Sequence, residues 1–278
     1  MIKAIVTIIR PINVVISMAS VYVGGVISFD KYYDNGLLIA AISAGLIAGF
    51  GNVANDIFDI EIDRRNKSFR PLPSARLSVK SAIILAMVLA GAGLILASAI
   101  NRECMLIASA VIIGLLFYTP VFKGNGYWGN LLISLISALA FFYGAAAVGN
   151  IMGGLIPAVF AFLFHFIREI IKDMEDRQAD KTEGVLTGAV IYGYGLSRVI
   201  AIVIIMVLIA TTFAPYIYSI YGTGYLIAVI IGTDISLAYI IVRLIISPKR
   251  QTYRFIAGMM KALMPLGILA IFIGSRGY

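Results

Sequence analysis

Carboxylate side chains recur at helical spacing in two separate segments of this 278-residue chain. The first segment is NVANDIFDIEID at 52–63, and the second is DMEDRQAD at 173–180. The acids that share a helical phase are Asp56, Asp59, Asp63, Asp173, Asp176 and Asp180. Mg²⁺ usually takes one or two carboxylates and completes its coordination with water and substrate phosphate. Two such segments therefore suit two or three Mg²⁺ ions and a diphosphate.

Helical phase separates these acids from their neighbours. At about 100° per residue, Asn52, Asn55 and the three aspartates of the first segment fall within an arc of about 100°, whereas Glu61 points to the opposite side. The aspartates of the second segment occupy about 60°, with Glu169 close to them and Glu175 pointing away. Like charges on one face repel unless cations lie between them. For any single carboxylate, neutralisation of a nearby Arg or Lys remains the alternative.

The elements that carry these segments are apolar. The chain is 61% hydrophobic and only 13% charged, far from the roughly 25% charged residues of an average soluble domain. Stretches long enough to cross a bilayer need about 20 apolar residues. Nine are predicted: about 11–29, 36–57, 79–100, 103–121, 129–149, 151–171, 190–214, 223–247 and 255–274. Short linkers between them predict an all-α membrane protein with one domain, residues 1–278.

The placement of positive charge predicts the orientation. With nine spans and a cytoplasmic N-terminus, all but three of the 22 Lys and Arg residues fall on the cytoplasmic side, the exceptions being Lys31, Arg102 and Arg276. This is the positive-inside pattern. The net charge of +8 is thus explained by topology and by binding to anionic membrane lipids, and it does not indicate nucleic acid.

Both acidic segments are predicted at the cytoplasmic face. They end spans two and six, which run in the same direction, so their carboxylates arrive on one side of the membrane. Three long, charged connections, about 58–78, 172–189 and 248–254, lie on that side as well. Basic residues there are candidate donors to phosphate oxygens: Arg70, Lys123, Lys172, Arg177 and Lys181.

These motifs resemble the UbiA-type intramembrane prenyltransferases. NDIFDIEID matches the family's N-D-x-x-D-x-x-x-D motif, and DMEDRQAD matches its second motif, D-x-x-D-x-x-x-D. FRPLPSARLS at 69–78, YTPVFKGNGYWGN at 118–130 and RPINVVISMASVYVGG at the first span resemble further family segments. The resemblance covers essentially the whole chain. It implies a nine-helix bundle with a central cavity that opens near the cytoplasmic face.

The resemblance also implies the chemistry. An isoprenyl diphosphate would be ionised with the help of Mg²⁺, and the allylic cation would alkylate a lipid-like or aromatic acceptor. Asn55, Asp59 and Asp63 would hold one metal ion, with Asp56 in support, and the three aspartates of the second segment would hold another. Arg70 and Lys123 are the first candidates for diphosphate contacts, followed by Lys172 and Lys181. Asn52, on the same face as the first metal site, is a further candidate for a substrate contact.

Aromatic side chains are candidate liners of a dry pocket that stabilises the cation. Those near the predicted cavity are Tyr118, Phe141, Phe142, Tyr143 and Phe164, among which Tyr118 is placed best, ahead of Lys123. His165 lies on the phase of the second segment, where it could contact the acceptor or accept a proton, or could be a core residue. Cys104, which is the only cysteine, is predicted to be a packing residue.

The acceptor is predicted from the resemblance. The chain is most similar to archaeal members that add a geranylgeranyl group from geranylgeranyl diphosphate to the hydroxyl of geranylgeranylglyceryl phosphate. An aromatic quinone precursor of the 4-hydroxybenzoate or dihydroxynaphthoate type is the alternative acceptor. A CDP-alcohol phosphatidyltransferase is the alternative of another class, although its D-G-x-x-A-R signature is absent. A cation transporter would place its acids near the midplane instead. The sequence leaves the oligomeric state open.

Overall fold

The computed structural model describes residues 2–29 and 35–275. Within them the helices are α1 Ile2–Ile9, α2 Pro11–Phe29, α3 Asn35–Phe58, α4 Ile60–Asn66, α5 Val79–Ser98, α6 Arg102–Phe117, α7 Trp128–Ala147, α8 Leu155–Thr182, α9 Gly188–Thr212, α10 Ala214–Ile217, α11 Thr223–Val229, α12 Ile235–Ile246 and α13 Arg250–Gly274. Two π-helical turns, Tyr118–Phe122 and Ile230–Asp234, follow α6 and α11, and a 3-10 turn, Ile151–Gly154, precedes α8. Lys31 and Arg276 lie outside the described residues.

The predicted membrane spans are confirmed. In the described part of the chain, nine helical segments are long and apolar enough to cross a bilayer. They are Pro11–Phe29, Asn35–Phe58, Val79–Ser98, Arg102–Phe122, Trp128–Ala147, Ile151–Thr182, Gly188–Ile217, Thr223–Ile246 and Arg250–Gly274. The chain is thus a multi-pass membrane protein. The expectation of a single domain stays a prediction, because the helices pack into two compact units.

Unit 1 comprises residues 1–122 and 139–154. Its central helix is α3, which packs against α1, α2, α5 and α6. One buried apolar cluster joins α1, α3 and α5 through residues such as Ile8, Phe50 and Ala86. Helix α2 approaches the second half of α7 closely at Gly24, where a Cβ atom would lie 2.6 Å from the carbonyl oxygen of Phe141. This packing holds the end of α3, and hence the first acidic segment, in place.

Unit 2 comprises residues 123–138 and 155–278. Helix α8 packs against α9 and α13, and a buried apolar cluster fills the space between them with residues such as Ile170, Met174 and Met260. Helix α9 is kinked at Gly193, whose φ of 78° is in the left-handed region that favours glycine. Two short strands, β1 Asn125–Gly126 and β2 Leu186–Thr187, pair in parallel, with Asn125 opposite Leu186. This pairing ties the segment before α7 to the segment after α8.

Two of the predicted connections begin or end at other residues than expected. Residues 172–182, which were expected to begin a connection, continue helix α8 to Thr182, so the second acidic segment lies on one unbroken helix. The connection about 248–254 is shortened because α13 begins at Arg250, whereas the connection about 58–78 has the predicted bounds and contains helix α4. Helix α1, ahead of the first span, was not predicted. Charged residues lowered the apparent apolar character of these helix ends, although the backbone continues to hydrogen bond as a helix.

Candidate functional site

The first acidic cluster consists of Asn52, Asn55, Asp56, Asp59 and Asp63 at the end of α3 and in α4. Asp59 lies in a turn between the two helices, yet its amide donates to the Asn55 carbonyl at 2.9 Å and its own carbonyl accepts from the Asp63 amide at 2.8 Å. The helical hydrogen-bond pattern therefore continues through the turn, and the phase of the side chains is kept.

Burial separates the acids as the phase predicted. Asp56, Asp59 and Asp63 are only 4%, 7% and 2% exposed. Glu61 has 73% of its side chain exposed and pairs with Arg64 at 2.7 Å. Three carboxylates are thus buried on one face of unit 1, where burying a charge is costly unless it is paired.

Two arginines pair with the buried carboxylates. Arg10 forms an ion pair with Asp56, and Arg70 contacts Asp56 at 3.2 Å and Asp63 at 2.5 Å. Arg70, which the sequence analysis named as a candidate hydrogen-bond donor to phosphate oxygens, therefore lies at the first acidic cluster. Breaking a buried pair of this kind is strongly destabilising, because it leaves an uncompensated charge.

Arg10 is held in place by the break between α1 and α2. Its backbone φ is 55°, a conformation that is uncommon for residues other than glycine. The side-chain amide of Asn52 donates to the Ile9 carbonyl at 2.8 Å, which anchors the end of α1 to α3. Asn52 therefore stabilises the packing of α1 against α3, and it also lies on the acidic face of α3.

Arg70 is positioned by the segment after α4. Leu72 and Leu77 are buried in the apolar cluster that joins α1, α3 and α5, and the Ser74 hydroxyl donates to the Arg70 carbonyl at 2.6 Å. The segment 67–78 is thus fixed against unit 1, and it directs the guanidinium of Arg70 toward Asp56 and Asp63.

The π-helical turn after α6 also reaches the first acidic cluster. The Thr119 hydroxyl donates to Oδ1 of Asn55 at 2.7 Å. Tyr118 begins this turn, near the end of the span Arg102–Phe122, and is half-buried. Single π-helical turns often occur at functional sites.

The second acidic cluster consists of Asp173, Asp176 and Asp180 on α8 in unit 2, all half-buried. Oδ2 of Asp173 accepts a hydrogen bond from the buried side-chain amide of Asn130 at 2.9 Å. Oδ2 of Asp180 lies 3.4 Å from the Thr187 hydroxyl. Asp176 lies near enough to Asp180 to act on it electrostatically.

Lys123 lies near the second acidic cluster. It acts electrostatically on Asp180. The β1–β2 pairing explains this placement, because it joins the residues just after Lys123 to those just after Asp180. The amide of Val185 also donates to the Asp180 carbonyl at 2.8 Å, which fixes the end of α8 to the same segment.

A second group of charges precedes this cluster on α8. Buried Glu169 pairs with Arg168 at 2.5 Å and with Lys172 at 3.6 Å. His165 is half-buried and lies edge to face with Phe164, with ring centroids 6.3 Å apart. Lys172 is therefore committed to an ion pair, while it remains electrostatically coupled to Asp173.

Three other candidate residues lie outside the contacts of the two acidic clusters described above. Arg177 donates to the Ala189 carbonyl at 2.7 Å and lies 4.6 Å from the ring centroid of Tyr194, so it joins α8 to α9. Lys181 is exposed. The Tyr143 hydroxyl donates to Ser43 at 2.8 Å inside the core of unit 1.

The donor chemistry of both clusters fits a hard cation. In residues 2–29 and 35–275, no three His, Cys, Asp or Glu side chains are arranged closely enough to hold a metal ion by themselves. Mg²⁺ does not need such a cage, because it usually combines one or two carboxylates with water and substrate phosphate. Asn55 and the aspartates of each cluster carry oxygen atoms of the kind that such an ion binds.

Arg10, Thr119 and Asn130 contact the clusters but were not among the predicted site residues. Thr119 and Asn130 lie in the 118–130 segment that carried part of the resemblance, which was the available signal. Arg10 was counted only as a cytoplasmic charge. Its contact with Asp56 depends on the packing of α1 and α2 against α3, which the sequence does not display.

Comparison with known proteins identifies the family. The UbiA prenyltransferase family matches residues 14–264. A protein of Sulfurisphaera tokodaii named digeranylgeranylglyceryl phosphate synthase is 36% identical over 246 residues, which cover 87% of this chain and 88% of that protein. A solved structure described as "Structural and mechanistic insights into the biosynthesis of Digeranylgeranylglyceryl phosphate synthase in membranes" has a TM-score of 0.81 and 32% identity, covering 99% of this chain and 98% of that one. A UbiA homolog from Archaeoglobus fulgidus bound to GPP and Mg²⁺ has the same fold, with a TM-score of 0.72 at 18% identity over 96% of this chain and 99% of that one. The chain therefore belongs to the UbiA prenyltransferase family.

Proposed function

We propose that this chain transfers a geranylgeranyl group from geranylgeranyl diphosphate to the hydroxyl of geranylgeranylglyceryl phosphate, with Mg²⁺ bound at the acidic clusters. The observation that carries the reaction type is the burial of Asp56, Asp59 and Asp63 beside Arg10 and Arg70 at the end of a membrane-spanning helix. The relatives named digeranylgeranylglyceryl phosphate synthase support the acceptor.

The reaction breaks the bond between the prenyl carbon and the diphosphate oxygen, and the electron pair leaves with diphosphate. The acceptor hydroxyl oxygen then bonds to that carbon as an ether, and its proton is released. Bound Mg²⁺ would supply positive charge at the leaving diphosphate. The UbiA homolog from Archaeoglobus fulgidus, which has the same fold, binds GPP and Mg²⁺, and this supports a divalent metal ion as the cofactor here. Two or three ions belong to the proposal.

The chain's own residues supply oxygen ligands and guanidinium groups. Asn55, Asp59 and Asp63 would hold metal in unit 1, and the second acidic cluster would hold metal in unit 2. Arg10 and Arg70 carry charge that stabilises diphosphate as negative charge grows on it, which lowers the barrier more than it strengthens ground-state binding. Lys123, Lys172 and Lys181 are further candidates for diphosphate contacts, and Tyr118 and His165 for contacts with the prenyl group or the acceptor.

The test is acceptor-dependent release of diphosphate. Purified protein in lipid vesicles is incubated with Mg²⁺ and labelled geranylgeranyl diphosphate, together with geranylgeranylglyceryl phosphate, 4-hydroxybenzoate or dihydroxynaphthoate. We expect transfer only to geranylgeranylglyceryl phosphate. Transfer to an aromatic acceptor alone would overturn the acceptor assignment, and release of CMP from a CDP-alcohol without any prenyl transfer would overturn the reaction type.

The orientation is also proposed: the N-terminus and both acidic clusters lie at the cytoplasmic face, as the positive charges predict. Single cysteines at Glu61→Cys and Tyr218→Cys, in a Cys104→Ser background, test it with a membrane-impermeant maleimide. Both positions are exposed. In vesicles with the native outer face outward, we expect labelling at 218 and protection at 61. The reverse pattern would show the opposite orientation.

A further inference from the structure

Each end of the segment 119–130 donates one side-chain hydrogen bond to an acidic cluster. The Thr119 hydroxyl bonds to Oδ1 of Asn55 at 2.7 Å, within unit 1. The side-chain amide of Asn130 bonds to Oδ2 of Asp173 at 2.9 Å, within unit 2. In both cases the acceptor is an oxygen of a residue proposed to bind metal.

The surroundings of Asn130 hold its amide in one place. Asn130 lies in the first turn of α7 and is buried, and the neighbouring Leu131 is half-buried. The Ser134 hydroxyl donates to the Asn130 carbonyl at 2.5 Å. Just upstream, Gly126 takes a φ of 58° and pairs with Thr187 in the β1–β2 bridge. The burial of Asn130, the Ser134 hydrogen bond and the nearby β1–β2 bridge together restrict Asn130, whose side-chain amide donates to Asp173.

Thr119 is held by a different local structure. It is half-buried in the π-helical turn that follows α6. Helix α6 packs against α3, which places the Thr119 hydroxyl beside Asn55. An oxygen atom that accepts one hydrogen bond retains a second lone pair. Asn55 Oδ1 can therefore accept from Thr119 and still bind a cation.

Neutral hydrogen-bond donors are better suited than charged ones to orient an oxygen atom that binds a metal ion. Arg10 and Arg70 neutralise carboxylates and so compete with a metal for them. Asn130 and Thr119 fix the orientation of an oxygen ligand but leave its charge intact. Hydrogen bonds from such outer partners orient metal ligands, and their removal typically costs about 10- to 100-fold in metal affinity.

We infer that Asn130 and Thr119 are positioning residues: Asn130 orients Asp173 for metal binding in unit 2, and Thr119 orients Asn55 for metal binding in unit 1. This inference rests on the proposed metal-binding function of the two clusters. Asn130 and Thr119 act through the metal-binding residues Asp173 and Asn55 and do not themselves contact the substrate in this proposal.

Metal binding, rather than turnover, is the decisive measurement. Mn²⁺ binding to the purified protein with inorganic diphosphate is followed by electron paramagnetic resonance. We expect Asn130→Leu to weaken Mn²⁺ binding about 10- to 100-fold. In an Asp173→Ala background the same change should have no further effect, because Asn130 acts through Asp173. For Thr119→Val we expect about 10-fold weakening, and Thr119→Ser should restore binding because it keeps the hydroxyl.

Matched controls separate positioning from general destabilisation. Asn101→Ala removes an amide that donates to the Ala146 carbonyl at 2.8 Å and also removes the cap of α6. Thr211→Val removes a hydroxyl that donates to the Leu208 carbonyl at 2.8 Å. Both controls should leave Mn²⁺ affinity unchanged, even where stability falls. If Asn130→Leu does not fold, Asn130→Ser replaces it in the same cycle.

The outcomes distinguish this inference from the proposed function. If Asp176→Ala weakens Mn²⁺ binding but Asn130→Leu and Thr119→Val do no more than the controls, the positioning roles are wrong and the metal site stands. Independent, multiplicative effects of Asn130→Leu and Asp173→Ala would also overturn the inference. If Asp176→Ala leaves Mn²⁺ binding unchanged, the metal-binding function itself is wrong.

Discussion

Replacement of Arg70 by methionine tests how the first acidic cluster is stabilised. Arg70 is 23% exposed and contacts Asp56 and Asp63, whose side chains are almost entirely buried. Asp56 also pairs with Arg10, so the loss falls mainly on Asp63. Breaking a buried ion pair costs about 3–5 kcal/mol. Because Arg70 is partly exposed, we expect Arg70→Met to lower the free energy of unfolding by about 3 kcal/mol, the lower end of that range.

The matched control is Arg64→Met, which removes an ion pair to Glu61 in the same segment. Both of its partners are largely exposed, and such pairs contribute roughly 0.2–1 kcal/mol. Unfolding is measured by circular dichroism in mixed micelles with increasing SDS, in the presence of EDTA so that metal cannot replace the lost guanidinium. We expect the two variants to differ by about 2 kcal/mol or more.

A second substitution shows whether uncompensated charge is the cause. Asp63→Asn, introduced into Arg70→Met, removes the carboxylate that has lost its partner, and it should recover part of the lost stability. Equal destabilisation by Arg70→Met and Arg64→Met would contradict the assignment of burial as the deciding factor. So would a double variant that is less stable than Arg70→Met alone.

Two further predictions follow from side-chain phase and helix packing. Asp59→Ala should abolish diphosphate release while Glu61→Ala leaves most of it, because only Asp59 lies on the buried face; similar losses in a turnover assay would contradict the phase assignment. Gly24→Ala should destabilise the protein by about 1–3 kcal/mol, because a Cβ atom would lie 2.6 Å from the carbonyl oxygen of Phe141. Gly91→Ala in α5 has open space around it and should be neutral or stabilising by up to about 1 kcal/mol, with unfolding in SDS as the measurement for both.

The sequence by itself determined the spans and the faces of the acids. Apolar length predicts membrane helices because backbone groups in lipid must bond within the helix. Helical phase separated Asp59 and Asp63 from Glu61 because side-chain direction follows residue spacing along one helix. The resemblance indicated the family from the same motifs, since they lie within contiguous stretches of the chain.

Only the tertiary structure decided which groups surround the acids. Arg10 reaches Asp56 across 46 residues, and Asn130 reaches Asp173 across 43. These contacts depend on a left-handed backbone at Arg10 and on the first turn of α7 packing near α8, neither of which has a local sequence signature. In the same way, Arg177 and Tyr143 carry residue types suited to a site, but packing turns Arg177 toward Tyr194 and Tyr143 toward Ser43. Composition and spacing indicate which side chains share a face of one helix. The contacts of a buried side chain depend instead on which other helix packs against that face.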